Sequence, residues 1–403
     1  MERQAFQFDV STDIENVQND REKMVFAMIE AGGGHRSPAI AVKEGVESLY
    51  GGRFDILMVD FMKQLGCIEL DQKHKETWKF FLAHPFLCKS SHLLADLTGP
   101  LFRAGLKQYY LLPFYSYVLQ FLVHYRPTVI FSTHPFNTYA VDYVRRKFDL
   151  KVTLITYLTE LFDVSSLWIE KGVDYFIVSS EEAKKKLILR GFPPEKLRLF
   201  GYPVRQSFFN VTRSRERIAG ELGIDLAKKT MLMSFGREGV GNIDRFIDAL
   251  IKRDLPLNLV VNTGQNEALQ DQLREKYAGP AGKLTVSVLG YTDRMNELIH
   301  VSDFCFIKPG PSTTMEAVSM RKPILFYKAA QISESPNIKY FTDNGVGFSI
   351  GENVNRFVKT VESLVKGNAA RDVARRYDSL SIRNGAFDIA RFVVETAFSR
   401  AER

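Results

Sequence analysis

Met24-Val-Phe-Ala-Met-Ile-Glu-Ala-Gly-Gly-Gly-His-Arg-Ser-Pro-Ala39 decides how the first half of the chain is read. Six apolar residues, 24–29, run into three glycines, and a helix-like pattern follows over 38–49. Strand, glycine turn and helix in that order open a parallel βαβ unit. Three glycines cost backbone entropy, so the turn needs a return. With no side chains in the way, the amide groups at the helix start face outward, where they suit an anion. His35 stands at that turn as its ionisable group.

Working outward, short apolar runs at 54–59, 129–132, 152–156 and 175–178 alternate with helical patterns such as 181–190. The rhythm pauses over Gly201-Tyr-Pro-Val-Arg-Gln-Ser-Phe-Phe-Asn210 and resumes with runs at 230–234, 257–262, 284–288, 303–307 and 323–326. Such alternation predicts an α/β protein with helix-covered parallel sheets. With 403 residues the chain suits two domains. The expected division is a polar extension over 1–23, a first Rossmann-like domain over 24–202, and a linker over 203–215. A second Rossmann-like domain follows over 216–380. In the C-terminal helix, 381–403, Phe387, Ile389, Phe392 and Val393 recur at helical spacing, a stripe able to pack on either half.

Composition is ordinary for a globular protein: 45% hydrophobic and 25% charged residues, with a formal net charge of +7. Cys67, Cys88 and Cys305 show no CxxC pairing, so neither a disulfide framework nor a zinc site is expected. The polar start carries no signal-peptide pattern, and no run reaches the ~18 apolar residues of a membrane span. A cytoplasmic setting is the expectation. Segment 78–125 holds twelve aromatic residues, with Lys79, Lys89, Arg103 and Lys107 among them. It reads either as buried helices or as an interfacial surface dipping into lipid headgroups. The basic residues form no long stripe, which disfavours a nucleic-acid partner.

Glycine-containing loops follow several of the strand-like runs. Gly236-Arg-Glu-Gly-Val-Gly241 places Gly236, Arg237, Glu238 and Gly239 after the first run of the second half. Gly264 and Asn266 follow the second run, and Pro309, Gly310, Ser312 and Thr313 follow the fourth. Ligands of open α/β sheets bind at the carboxyl ends of strands, so several such loops in one half point to phosphate. Neither GxxxxGK[ST] nor a GxGxxG dinucleotide fingerprint is present, which disfavours a P-loop kinase or a dehydrogenase. No Asp-x-Asp occurs to hold a divalent ion against a diphosphate, so no metal is expected. Backbone, helix ends and Arg237 are the expected sources of positive charge.

Gly290-Tyr-Thr-Asp-Arg-Met-Asn-Glu-Leu298, Lys308-Pro-Gly-Pro-Ser-Thr-Thr-Met-Glu316 and Pro323-Ile-Leu-Phe326 together resemble the nucleotide-sugar half of glycosyltransferase family 28. The likeness is to monogalactosyldiacylglycerol synthases and processive diacylglycerol glucosyltransferases. A glycine run followed by His35-Arg36, then Ser132-Thr-His-Pro135, Gly172-Val-Asp-Tyr-Phe-Ile-Val-Ser179 and Phe200-Gly-Tyr-Pro-Val-Arg205, also follow that pattern in order. The resemblance runs from about residue 24 to about 347.

It implies a GT-B architecture, two Rossmann-like domains facing across a cleft. It also implies inverting, metal-free transfer of a hexose, galactose or glucose, from a UDP-sugar to diacylglycerol or a glycosyl-diacylglycerol, with no cofactor beyond the donor. By this likeness Tyr291 and Thr292 hold uracil and Glu316 accepts from the ribose hydroxyls. The loops at 236–239 and 312–313 surround the diphosphate, and Glu334 and Asn337 border the donor sugar. On the acceptor side stand Gly33, Gly34, His134 and Trp168. Attachment to an anionic membrane on its cytoplasmic face is the accompanying expectation.

Direct displacement needs a base for the acceptor hydroxyl. His35, with an ordinary pKa near ~6.5, suits that role, and Glu30 is placed to orient it or to be the base itself. Two departures from the family bear on substrate. Tyr157 stands where a Thr-Asp pair is usual, and the stretch from there to Trp168 lacks the usual histidine. Ile332-Ser333 replaces a Gly-Gln pair in the donor loop. Another lipid acceptor such as a polyprenyl carrier, or a weakened nucleotide-sugar binder, therefore stand as alternatives.

Overall fold

The computed structural model describes residues 21–30, 33–236, 239, 242–279, 282–380 and 382–401. Residues 1–20 of the extension expected over 1–23, and Gly32, Arg237 and Glu238, lie outside them, and a strand already begins at Glu22. The chain forms two units, Met1–Pro203 with Gly385–Arg403, and Val204–Asn384.

The first unit is built on six parallel strands: β1 (Glu22–Met28), β2 (Phe54–Asp60), β3 (Val129–Ser132), β4 (Thr153–Tyr157), β5 (Tyr175–Val178) and β6 (Leu197–Leu199). Their order is β2-β1-β3-β4-β5-β6, with Met28 beside Asp60 and Ala27 beside Ser132. The second unit carries β7 (Lys229–Ser234), β8 (Leu257–Asn262), β9 (Thr285–Leu289), β10 (Phe304–Ile307), β11 (Ile324–Phe326) and β12 (Gly347–Ser349). These run in the order β12-β11-β10-β7-β8-β9, again all parallel. This is the GT-B fold class.

Strand order reverses between β1 and β3 in the first sheet and between β7 and β10 in the second. Loops leaving the carboxyl ends of those paired strands splay to opposite faces and open a crevice, which is where such sheets take ligands. The glycine turn before His35 and the Thr133-His134 turn flank the first crevice. The turns at Gly236 and Gly310 flank the second.

Central strands are buried on both faces, as parallel sheets require: β3, β4 and β8 have no exposed residue. Each buried Val, Leu, Ile or Phe contributes roughly 1.5–3 kcal/mol by leaving water. The first unit's core gathers Val25, Ile130, Leu154 and Phe176, and the second's gathers Met233, Val261, Phe306 and Leu325.

The helix Ala386–Ala401 returns to the first unit and lies on the helix Arg36–Tyr50. Gly45 makes that crossing close: a methyl there would stand 3.0 Å from both the Ala386 carbonyl oxygen and Ala390 Cβ. Elsewhere on the same helix Phe392 packs edge-on against Tyr175 of β5, with ring centroids 5.0 Å apart.

The aromatic segment divides between its two readings. The helix Leu112–Tyr125 buries Phe114, Tyr115, Val118, Phe121, Leu122 and Tyr125. The helix Pro85–Gly105 instead leaves Phe86, Leu97 and Leu101 76–80% exposed. It bends at Gly99, which precedes Pro100. Among the described residues no helix is long and apolar enough to cross a membrane.

Candidate active site

The β1/β3 crevice of the first unit holds a histidine cluster. His35 ends the turn before its helix, and its Nδ1 meets the Thr133 carbonyl oxygen. A carbonyl only accepts, so Nδ1 carries the proton and Nε2 keeps its lone pair. Thr133 reinforces the contact by donating its hydroxyl to the His35 carbonyl at 2.8 Å. His134 holds the opposite tautomer. Its Nδ1 accepts the Phe136 N–H at 3.2 Å, capping the helix Pro135–Lys147, which leaves the proton on Nε2.

The rings of His35 and His134 are 4.7 Å apart, and His74 stands 5.3 Å from His134 on the other side. Trp168 faces His35 at 6.1 Å. Burial pushes the pKa of His35 and of His74 down to about 4 and that of His134 well below its ordinary value; the neighbouring imidazoles further disfavour charge on His74 and His134, while the Thr133 carbonyl partly offsets burial at His35. All three rings are neutral near pH 7. Glu30 reaches Arg36 at 3.6 Å, and its backbone N–H donates to Asp60 at 3.2 Å. The group that fixes the His35 tautomer is thus the Thr133 carbonyl.

At the β7/β10 crevice of the second unit, Gly236 turns with φ +88° and Gly239 with φ +54°. A methyl at Gly239 would stand 2.1 Å from the Thr263 carbonyl oxygen, so only glycine lets the β7 and β8 loops touch. Asn266 uses its side chain inside that contact. It accepts from Leu269 N–H at 3.0 Å to cap its helix and donates to the Gly239 carbonyl at 3.4 Å. After β10, Gly310 begins the helix Pro311–Ser319. Pro311 has no N–H, so the outward amides at that end belong to Ser312 and Thr313.

Lys308 lies between the two turns. A methyl at Gly236 would be 3.8 Å from its Cε, and one at Gly310 would be 3.5 Å from the same carbon. Its ammonium pairs with Glu334 at 2.9 Å. Glu334 is 2% exposed and also accepts from the Ala330 and Gln331 amides at 2.8 and 3.3 Å. Asn337, fully buried, donates to the Pro309 carbonyl at 2.8 Å. Glu316 is buried on the helix that Gly310 begins. Tyr291 and Thr292 follow the edge strand β9. The Tyr291 hydroxyl donates to Asp293 at 2.9 Å, and Thr292 Oγ1 accepts the Arg294 N–H at 3.0 Å. Among the described residues no cluster of three or more His, Cys, Asp or Glu could hold a metal ion.

The family described as monogalactosyldiacylglycerol (MGDG) synthase matches residues 35–204, and the glycosyltransferase family 28 C-terminal domain matches residues 246–379. The chain is thus similar to the monogalactosyldiacylglycerol synthases over its first half and carries a family 28 C-terminal domain in its second. It is a monogalactosyldiacylglycerol synthase-like glycosyltransferase.

The chain is 27% identical over 336 residues to the probable monogalactosyldiacylglycerol synthase 2 of Oryza sativa subsp. indica, covering 81% of this chain and 70% of that one. Against monogalactosyldiacylglycerol synthase 3 of Arabidopsis thaliana it is 28% identical over 346 residues, covering 83% and 73%. Two solved structures share the fold. Acinetobacter baumannii MurG has a TM-score of 0.58 at 12% identity, covering 93% of this chain and 99% of that one. A Listeria monocytogenes protein titled a putative UDP-N-acetylglucosamine 2-epimerase has a TM-score of 0.62 at 12% identity, covering 95% and 97%.

His35, His134 and Trp168 come together around one crevice, with Gly33 and Gly34 in the turn leading to it. Gly236, Gly239, Gly264, Asn266 and Gly310 lie on loops leaving three adjacent strands of the second sheet, and Ser312 and Thr313 open the helix that Gly310 begins. Three residues of these sites carry no role that the sequence assigns them. Lys308 carried a usable signal, a charge closing an apolar strand just before Pro-Gly. His74 and Thr133 carried none, since only the packing of helix on sheet brings them to His35.

Proposed function

We propose that this chain catalyses inverting transfer of a hexose from a UDP-sugar to the free hydroxyl of diacylglycerol or a glycosyl-diacylglycerol, without a metal ion. The observation that carries the reading is the fixed His35 tautomer. With Nδ1–H held by Thr133, a neutral imidazole offers Nε2 to an acceptor hydroxyl as general base. His134, bearing its proton on Nε2, is the matching donor that positions the acceptor oxygen, and Trp168 lines the same side. Glu30 with Arg36 and the turn at Gly33 and Gly34 border the acceptor.

The donor belongs to the second unit in this reading. Its diphosphate lies against the turn at Gly236–Gly239 and the Ser312 and Thr313 amides, with Arg237 and Glu238 in the same loop. Lys308 supplies the cation that no Asp-x-Asp-bound metal provides. Tyr291 and Thr292 hold uracil, Glu316 the ribose, and Pro309, Asn337 and Glu334 shape the sugar pocket. Gly264 and Asn266 support these loops. The exposed face of the helix Pro85–Gly105 rests on an anionic membrane carrying the lipid acceptor.

The test is UDP release with UDP-galactose and UDP-glucose, with and without diacylglycerol vesicles, products resolved by mass spectrometry. The expected result is acceptor-dependent release, with His35→Asn lowering kcat ~10²–10⁴-fold and leaving calorimetric UDP affinity intact. Full turnover by His35→Asn removes the imidazole from the chemistry. UDP binding without any glycolipid product rejects the transferase reading itself.

A further inference from the structure

The loop between β4 and Trp168 carries a carboxylate that neither the motifs nor the comparisons single out. Glu160 accepts the Ser165 N–H at 3.0 Å and a hydrogen bond from the Trp168 side chain, whose indole N–H is its one donor. Ser165 in turn begins the Ser166–Trp168 turn, closed by Trp168 N–H on the Ser165 carbonyl at 3.0 Å. The carboxylate thus grips that turn at both ends. Trp168 is 4% exposed, and its ring lies 6.1 Å from the His35 imidazole, inclined by 34°.

The rest of the turn is tied down independently. Asp96 accepts the Ser166 N–H at 2.7 Å, and Arg103 donates to the Ser166 carbonyl at 3.1 Å. Tyr139 donates to the Leu167 carbonyl. These bonds hold backbone. The indole packs in the core, and its one N–H donor goes to Glu160.

We infer that Glu160 is a positioning residue that seats the Trp168 indole against His35, so that the acceptor wall of the site is set by a carboxylate outside it. The acceptor role of that wall rests on the function proposed above; the seating itself does not. The grip depends on charge. An ionised carboxylate accepts both N–H groups strongly, whereas protonation makes one oxygen a donor and weakens the hold.

Glu160 sits where that change falls near neutrality, its pKa pushed up to about 7, chiefly by burial and further by the charges of Asp163 and Asp96. Other charged groups around it are themselves paired. Lys186 binds Asp163 at 2.6 Å, Arg190 reaches Asp96 at 3.4 Å, and Lys107 holds Glu170. His35, across the indole, is neutral over the same range.

The chain has two tryptophans, so Trp78→Phe leaves Trp168 as sole emitter. In the full-length Trp78→Phe protein, Trp168 emission and acrylamide quenching are followed from pH 5 to 9. A transition centred near pH 7 is expected, absent in Glu160→Gln, whose amide oxygen still accepts but does not titrate. Glu160→Ala should raise quenching and raise the acceptor KM ~10-fold with UDP affinity unchanged, while Glu160→Gln restores most of the KM. A Trp168 signal that is flat with pH and identical in all three proteins overturns the inference. Altered emission in a protein that transfers no sugar supports the seating and rejects the proposed acceptor role instead.

Discussion

Lys308 shows what one side chain decides at the donor crevice. Its side chain passes between both glycine turns, and its ammonium is already bound to the buried Glu334. Losing a charge-assisted hydrogen bond costs ~1.5–3 kcal/mol, on the order of 10–100-fold in affinity. Lys308→Gln should therefore weaken UDP by that factor and leave uridine nearly unaffected, both read by calorimetry. Because the substitution strands a buried carboxylate, the Lys308→Gln, Glu334→Gln double variant is the proper control. Equal losses for UDP and uridine would deny Lys308 its phosphate role.

The titrating residues make opposite pH predictions. The histidines at 35 and 74 have folded pKa values of about 4, below their unfolded ~6.5, so the folded state binds fewer protons in that window. Their contribution is full above about pH 6.5 and is lost as pH falls towards 4. Glu160 runs the other way. Raised from 4.5 to about 7, it contributes fully below 4.5 and loses that stability as pH rises to 7. Glu160→Gln should consequently gain up to about 3 kcal/mol over the parent by pH 8 and nothing at pH 4, measured by urea unfolding. A gain that does not vary with pH would exclude titration as its cause.

At the scale of elements, strands and glycine turns were legible because parallel strands are continuous apolar runs and turns need glycine. The two edge strands β6 and β12 escaped notice, being three residues long and only partly buried. The turn at residues 33–35 could be read as a site, but its histidine partners could not. His74 comes from a helix beginning at Ile68, and only tertiary packing sets it beside His134.

The helix Pro85–Gly105 illustrates the same limit, since spacing alone did not separate its exposed face from the buried helix Leu112–Tyr125. Burying Leu97 and Leu101 in lipid is worth ~1.5–3 kcal/mol each. Replacing both with Ser should release most of the protein from anionic vesicles in a sedimentation assay, with UDP binding and thermal stability retained. Undiminished sedimentation would assign lipid binding to another surface.

At the scale of the molecule, the chain leaves the first unit after Pro203 and comes back at Gly385. Each unit has its own sheet and its own core. Residues far apart in sequence therefore share one fate, and neighbours at 384 and 385 do not. Gly45 and the helix Ala386–Ala401 belong to the first unit, whereas the turns at Gly236 and Gly310 belong to the second.

UDP at 100 times its Kd should stabilise the unit that binds it by ~2.7 kcal/mol. Gly45→Val, by contrast, forces a side chain into a gap of 3.0 Å beneath the returning helix, an overpacking that costs ~1–3 kcal/mol. In calorimetric scans of the intact chain, Gly45→Val is expected to lower one transition and UDP to raise the other, each leaving its counterpart in place. If UDP instead raises the transition that Gly45→Val lowers, the nucleotide is held by the first unit, and the assignment of donor to the second sheet is wrong.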